Sequence, residues 1–190
     1  MPPKVRITKE DIIECAAKLV RVGGADALNA RSIANALSCS TQPVFSNFES
    51  MTELKAELKK YAYGIYEEYR IRETETGKHP PYKSSGIAYI KFAMEEKELF
   101  KLLFMGSRSE DEKKEVFSDD DPIIKMIMST TGMSADKAKR FHFENWVFGH
   151  GIAVMVAADY IDYDIDMISS MMSDVYLGLR AKYEKEDQYE

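Results

Sequence analysis

The sequence predicts an all-α protein. Apolar residues recur at helical spacing in nearly every segment, and no stretch of useful length alternates between apolar and polar residues as a strand would. Ser, Thr or Asn precedes several of these segments, and Gly or Pro interrupts the chain between others, as is usual at helix starts and ends. With 190 residues, the chain is long enough to bury a sizeable core.

Nine helices are predicted along the chain. The first follows Thr8, a good N-cap, and ends at Gly23-Gly24, and the second follows Asn29. We expect Ser40 to cap the third, short helix, with Pro43 in its first turn, where a missing N–H costs little. The predicted helices cover about 9–22, 30–37, 41–47, 51–72, 82–95, 97–105, 122–129, 134–158 and 164–184.

Composition and charge narrow the class of protein. The net charge is −6, but residues 1–50 carry six basic and five acidic side chains. This N-terminal segment is therefore the only part of the chain whose charge is compatible with an anionic partner. Cys15 and Cys39 match neither a metal-ligand spacing nor a disulfide framework, which indicates a reducing cytoplasm. The N-terminus does not resemble a signal peptide, and no apolar run is long enough to span a bilayer. The charged stretch 107–121 is expected to be a loop.

Two short helices joined by a tight turn at Ser38-Cys39, after a scaffold helix, are typical of a helix-turn-helix. In such a motif the second helix enters the DNA major groove with its N-terminal residues toward the base edges. Thr41 and Gln42 stand at that end. Gln pairs with adenine through two hydrogen bonds, and Thr donates, accepts or packs its methyl on thymine. A generic three-helix packing unit is the alternative that spacing alone leaves open.

This segment resembles the TetR family of bacterial repressors. The matching parts are an Ile-Ala pair, a short turn, an aromatic-x-x-Phe sequence and a helix start with a later Leu. In this chain they are Ile33-Ala34, Ser38-Cys39-Ser40, Phe45 to Phe48, and Ser50-Met51 with Leu54, within residues 6–56. The resemblance implies a DNA-binding domain at 1–50 and a ligand-binding, dimerising domain at 51–190, with the fourth helix joining the two.

Three residues depart from the family pattern. Ser38 stands where the turn usually has Gly, so a positive φ there would carry mild strain. Phe45 replaces a common Tyr and Met51 a common Lys, so a hydroxyl and a positive charge toward phosphate are missing. We expect the DNA contacts to come from Arg31, Ser40, Thr41, Gln42, Pro43, Phe45, Ser46, Asn47 and Lys55, with Ser46 and Asn47 facing phosphates.

Small residues recur at i, i+4 and i+8 in the eighth predicted helix. Such a stripe lets helix backbones approach closely, and small residues in the last helix extend it. The expected product is a four-helix bundle with two helices from each subunit of a homodimer, and packing within one chain is the alternative. The expected interface residues are Gly149, Ala153, Ala157, Met171, Val175 and Gly178.

Methionine and aromatic side chains are concentrated after residue 90. Methionine adapts to varied shapes, so we predict a largely apolar cavity for a small apolar or amphipathic effector, with plain core packing as the alternative. The candidate pocket residues are Phe92, Phe100, Phe104, Met105, Met126, Phe143, Trp146 and His150. Trp146, His150 and Gly151 also form a Trp-x-x-x-His-Gly sequence that is similar to a motif in a subgroup of TetR-like regulators, where tight packing around a satisfied histidine is the expected role.

Nothing in the sequence predicts catalysis. His142 and His150 are two helical turns apart, about 12 Å, which is too far for one metal ion's ligand shell. No nucleophile motif or phosphate-binding Gly loop occurs. We therefore expect no metal, cofactor, catalytic residue or membrane partner, and expect a double-stranded DNA operator, a small-molecule effector and a second copy of the chain. The competing interpretation is an all-α small-molecule-binding protein, or a helical enzyme, whose N-terminal domain does not bind DNA.

Overall fold

The computed structural model of the protein describes residues 7–106, 118 and 120–186. Over these residues the chain is helical and contains no strand, which confirms the predicted fold class. The helices are α1 Lys9–Gly23, α2 Ala30–Ala36, α3 Gln42–Asn47, α4 Met51–Glu75, α5 Pro81–Glu95, α6 Lys97–Phe104, α7 Pro122–Thr131, α8 Ala135–Ala157 and α9 Ile165–Glu186, with a 3₁₀ helix at Ala25–Ala27. The expected loop at 107–121 lies mostly outside the described residues.

Side chains cap the helices at the predicted positions in three cases. Thr8 Oγ1 accepts the backbone N–H of Asp11 at 3.1 Å, and the Asp11 carboxylate accepts the N–H of Thr8 at 2.9 Å. Asn29 Oδ1 accepts the N–H of Ser32 at 2.9 Å at the start of α2. Ser50 Oγ accepts the N–H three residues on at 3.2 Å, at the start of α4. These bonds satisfy donors that a helix start leaves without a partner.

The start of α3 differs from the prediction. Its N-cap is Thr41, and no side chain caps it, so the expectation that Ser40 caps this helix is wrong. Thr41 has helical dihedral angles, φ −72° and ψ −11°, rather than the extended angles that are usual at an N-cap. Pro43 in the first turn has no N–H for a cap to accept, which removes one of the usual donors.

The chain forms two compact units. The first comprises the described residues up to Glu68 together with Glu96–Gly106, and the second comprises Tyr69–Glu95 with the described residues from 118 onward. The first part of α4 and the whole of α6 therefore belong with the three N-terminal helices. The division into functional domains at 1–50 and 51–190 stays a prediction.

Helix α1 is the scaffold of the first unit. It packs against α2 and α6, and α2 packs against α3. Ile12, Ala16 and Val20, spaced at i, i+4 and i+8 on α1, have no exposed surface. This single apolar stripe explains why a helix with charged residues on its other side is held at the centre of the unit.

Helices α5 and α8 form the centre of the second unit. Both pack against α7 and α9 and against each other. Gly86 of α5 permits one close approach, because a Cβ at this position would collide with the Met172 side chain of α9. On α8, the Phe141 ring meets Tyr176 and Tyr183 of α9 edge to face, with centroids 5.3 and 5.8 Å apart.

The stripe of small residues on α8 lies inside this core. Ala153 and Ala157 have no exposed surface within a single chain, and Gly149 is buried. These residues are therefore not available to a second chain, and this corrects their expected place in a dimer interface. Packing within one chain, the alternative interpretation, accounts for the burial of Ala153 and Ala157, whereas a Cβ added at Gly149 would meet no other atom within 4 Å. No helix among the described residues has both the length and the apolar content needed to cross a membrane.

Candidate nucleic-acid interface

Helix α3 is fixed to the first unit along one side. Val44 is 1% exposed and Phe48 is 2% exposed, so these two side chains anchor the helix. The ammonium group of Lys9 lies 4.8 Å from the centroid of the Phe48 ring and pairs with the Glu53 carboxylate at 3.3 Å. Contacts from α1 and α4 thus hold the end of α3, and only its opposite face is left to bind a partner.

The opposite face of α3 is exposed and carries no charge. Gln42, Phe45 and Ser46 lie at i, i+3 and i+4, which places them on one side of the helix, and all three are exposed. The Phe45 side chain is 54% exposed. Thr41 and Pro43 are half-buried beside this face. Five of the predicted DNA-contacting residues therefore lie on or next to one accessible helix surface.

The turn between α2 and α3 has the strained conformation that the sequence predicts. Ser38 has a φ of +52°, a region that residues with a Cβ rarely occupy. The turn is held by backbone bonds from Ser38 N–H to Asn35 O at 3.1 Å and from Cys39 N–H to Ala34 O at 2.9 Å. The left-handed residue lets the chain reverse within two residues and so directs α3 away from α2.

Ser46 and Asn47 use their donors within the unit. The Ser46 hydroxyl donates to the carbonyl oxygen of Gln42 at 2.9 Å, and the Asn47 amide donates to that of Pro43 at 2.8 Å. The same Asn47 nitrogen lies 3.5 Å from the carbonyl oxygen of Ile7. Contact of these two residues with phosphate stays a prediction, and Asn47 has the additional role of tethering the chain before α1.

Two predicted phosphate contacts have exposed cationic groups. Arg31 lies in the first turn of α2 and Lys55 near the start of α4, and both are exposed. Within the described residues neither forms a salt bridge, whereas Lys60 pairs with Glu57 at 2.8 Å. No described residue therefore neutralises their charges by a salt bridge, and free cationic charge is the condition for displacing counterions from DNA phosphates.

Two ionisable groups of α1 have altered proton affinity. Burial raises the pKa of the Cys15 thiol, so this side chain is a protonated core residue. The backbone and side-chain hydrogen bonds from Thr8 lower the pKa of the Asp11 carboxyl, so it stays ionised at the helix start. Both shifts serve the structure of α1, and neither group lies on the exposed face of α3.

The predicted pocket residues are divided between the two units. Phe100, Phe104 and Met105 belong to the first, and Phe92, Met126, Phe143, Trp146 and His150 to the second. Phe92 and Phe100 have no exposed surface, whereas Met105 is 46% exposed. These positions are consistent with plain packing for the two buried rings, and binding of an effector stays a prediction.

Three of these residues form a stacked row along α8. The Trp146 and His150 rings are nearly parallel, with centroids 4.7 Å apart, and Phe143 stacks on the other side of Trp146 at 6.3 Å. The His150 ring nitrogen Nδ1 is hydrogen-bonded to the Tyr89 hydroxyl at 2.8 Å. His150 is thus satisfied and packed, as expected from the sequence.

Two partly buried polar pairs in the second unit were not predicted from the sequence. The Tyr82 hydroxyl is hydrogen-bonded to Nδ1 of His142 at 2.9 Å, and Lys91 pairs with the buried Glu73 carboxylate at 2.6 Å. Burial lowers the pKa of His142 to about 4 and raises the pKa of Tyr82 well above its ordinary value. Both groups are therefore neutral at physiological pH. A polar residue on an apolar helix face was the only signal, and it does not name the partner.

The last two helices expose large apolar side chains among charged ones such as Arg140 and Asp174. On α8, Phe143 and Val147 are each 49% exposed at i and i+4, and the exposed Gly151 follows at i+8. On α9, Met167 is 53% and Leu177 60% exposed. The described residues contain no cluster of three or more His, Cys, Asp or Glu able to hold a metal ion.

Solved structures share this fold. A TetR-like transcriptional regulator from Rhodococcus sp. RHA1 superimposes with a TM-score of 0.67, at 15% sequence identity, over 93% of this chain and 96% of that chain. At this identity the likeness shows the fold, and the protein has a TetR-like fold. No family model and no curated protein matches the sequence.

Proposed function

We propose that the protein is a homodimeric, ligand-responsive transcriptional regulator that represses from a palindromic operator and is released by a small apolar or amphipathic molecule. The observation that carries this proposal is the exposed, uncharged face of α3, which the buried Val44 and Phe48 hold on a rigid core. The TetR-like fold supports it, because a regulator is among the proteins that have this fold.

DNA binding divides between α3 and the helices beside it. Gln42 at the start of α3 is placed to pair with an adenine edge in the major groove. Arg31 and Lys55 are placed to contact phosphates, which position the protein without reading sequence. Each phosphate contact contributes about 0.9 to the slope of log affinity against log salt concentration.

A second copy of the chain is the proposed partner of the apolar surface on α8 and α9. The exposed side chains of Val147 and Leu177 support association, since covering them with a second chain removes apolar surface from water. A two-fold dimer places two copies of α3 in successive major grooves, with half-sites ~34–36 Å apart. Met171 and Val175, which are half-buried, and the exposed Gly178 stay candidates for this interface.

The effector acts as a bias on a two-state equilibrium. A molecule that binds one arrangement of the dimer more tightly shifts the population away from the arrangement whose half-site spacing fits the operator. Helix α4 connects the DNA-binding helices to the rest of the chain and is the proposed route of this change. Phe143, Trp146 and His150 stay the candidate contacts for such a molecule on the second unit.

A footprint on the DNA next to the protein's own gene tests the proposal. We expect protection of two half-sites, roughly 10 base pairs apart between centres. Gln42→Ala should weaken specific binding by about tenfold or more, because a bidentate base contact is worth roughly 1–3 kcal/mol. Arg31→Ala removes one phosphate contact from each subunit of the proposed dimer, so it should weaken binding to all sequences and reduce the salt slope by about 1.8.

Lys18→Ala is the matched control for the loss of charge. Lys18 is as exposed as Arg31 but lies on α1, outside the proposed interface. This variant should leave the footprint and the salt slope close to those of the wild type. The proposal fails if no fragment is protected at low salt, or if Gln42→Ala and Arg31→Ala bind DNA like the wild type.

A further inference from the structure

We infer that Phe45 is a specificity-determining residue that reads the 5-methyl group of a thymine in each operator half-site. The inference rests on the proposed function and adds to it a chemical feature of the DNA. The Phe45 ring is 54% exposed and lies on the same face of α3 as the exposed Gln42. It is not needed to anchor the helix. Val44 and Phe48, on the opposite side, supply that anchoring.

The chemistry of the ring selects the feature that it contacts. Phe45 has no hydrogen-bonding group, so it gains nothing from the donors and acceptors of base edges or from hydrated phosphates. The apolar feature of the major groove is the thymine methyl group, with which aromatic and small apolar side chains make contact. Within the described residues the exposed face of α3 carries no cation, and the exposed charges of Arg31 and Lys55 lie on α2 and α4. The α3 surface therefore suits bases, and its flanks suit phosphates.

The helix geometry gives the position of the thymine. Gln42 and Phe45 are three residues apart on α3, so their Cβ atoms are separated by about 5–6 Å. Successive bases of one strand rise by about 3.4 Å. An adenine contacted by Gln42 and a thymine contacted by Phe45 are therefore one or two base pairs apart in the half-site.

Replacing thymine by uracil tests the contact, because uracil lacks only the methyl group. The probe is the duplex that wild-type protein enriches most strongly from a random-sequence library, resynthesised with uracil at each thymine in turn. At one position of each half-site, a single uracil should weaken wild-type binding about fourfold, which corresponds to the roughly 0.8 kcal/mol gained by burying one methyl-sized group, and uracil at that position in both half-sites should weaken it about fifteenfold. Phe45→Ala lacks the contact in both subunits, so it should bind the thymine duplex about as weakly as wild type binds the duplex with uracil in both half-sites, and should not distinguish the two.

Matched variants separate a base contact from a change in the fold. Phe45→Leu keeps an apolar side chain and should retain part of the preference for thymine. Val22→Ala removes an apolar side chain that is 91% exposed on α1, and should keep the full preference. Equal binding of thymine and uracil duplexes by the wild type would overturn the inference while leaving the proposed function intact. If no duplex is enriched from the library, the proposed function and the inference both fail.

Discussion

His142 is expected to make the stability of the second unit depend on pH. Burial lowers the pKa of its imidazole to about 4 from an ordinary value of 6.5, although the Asp121 carboxylate acts in the opposite direction. The folded chain thus keeps the ring neutral, hydrogen-bonded to Tyr82. The unfolded chain binds a proton as the pH falls below 6.5. Stability is therefore complete above this pH and is lost as the pH falls toward 4.

The magnitude follows from the width of this pH window. Each pH unit between the two pKa values costs about 1.4 kcal/mol, because the unfolded state binds one proton more than the folded state. Between about pH 7.5 and about pH 5, this histidine should lower the free energy of unfolding by roughly 2 kcal/mol. Below about pH 4 both states are protonated, and its contribution should stop changing.

Urea unfolding of the wild type and of His142→Asn isolates this contribution. Asn keeps a hydrogen-bond acceptor near the position of Nδ1 but does not titrate. The single tryptophan, Trp146, lies on the same helix and reports unfolding of this unit by fluorescence. Both proteins are measured at one chain concentration, since association would add to stability. The advantage of the wild type over the variant should shrink by roughly 2 kcal/mol between about pH 7.5 and about pH 5.

His79→Asn is the matched control. His79 is less buried than His142 and belongs to the same unit, so its removal should leave most of the wild-type pH dependence in place. If the curves of unfolding free energy against pH for wild type and His142→Asn run parallel over this range, the conclusion that His142 is buried and neutral is refuted.

Three further changes have defined outcomes. Ser38→Gly should raise the free energy of unfolding by about 1 kcal/mol in urea titrations, since glycine relieves the positive φ of +52°, and an unchanged or lower value would contradict the strain. Lys91→Met should lower the free energy of unfolding by roughly 1–2 kcal/mol, because it leaves the buried Glu73 carboxylate without its ammonium partner. Adding Glu73→Gln should recover part of this loss. Equal stability of the single and double variants would argue against the pair. Val147→Glu should convert the proposed dimer to a monomer in light-scattering chromatography without loss of helix content, whereas an unchanged mass would exclude this face from the interface.

Local signals in the sequence were sufficient to predict the helices and much of α3. Thr8 and Asn29 cap their helices because a cap depends on residues only two or three positions away. The strain at Ser38 was predictable for the same reason, from a single departure at a turn position. The failure at Ser40 is also local, since Pro43 in the first turn has no N–H to donate to a capping side chain.

Features that depend on tertiary packing could not be predicted from the sequence. Tyr82 and His142 are 60 residues apart, and only the packing of α5 against α8 brings them together. The burial of Ala153 was equally ambiguous, because close packing within a chain and between chains needs the same small residues. A helical pattern shows which face is apolar, but it does not show which helix covers that face.

Selection from a random library of duplex DNA tests most directly whether the exposed face of α3 reads sequence. The wild type and Gln42→Ala are each incubated with the same library at low salt, and the bound duplexes are sequenced. We expect the wild type to enrich an inverted repeat whose half-sites are about 10–10.5 base pairs apart, and the variant to lose its preference at one adenine in each half. Bound pools identical to the input library for both proteins would contradict the role of α3.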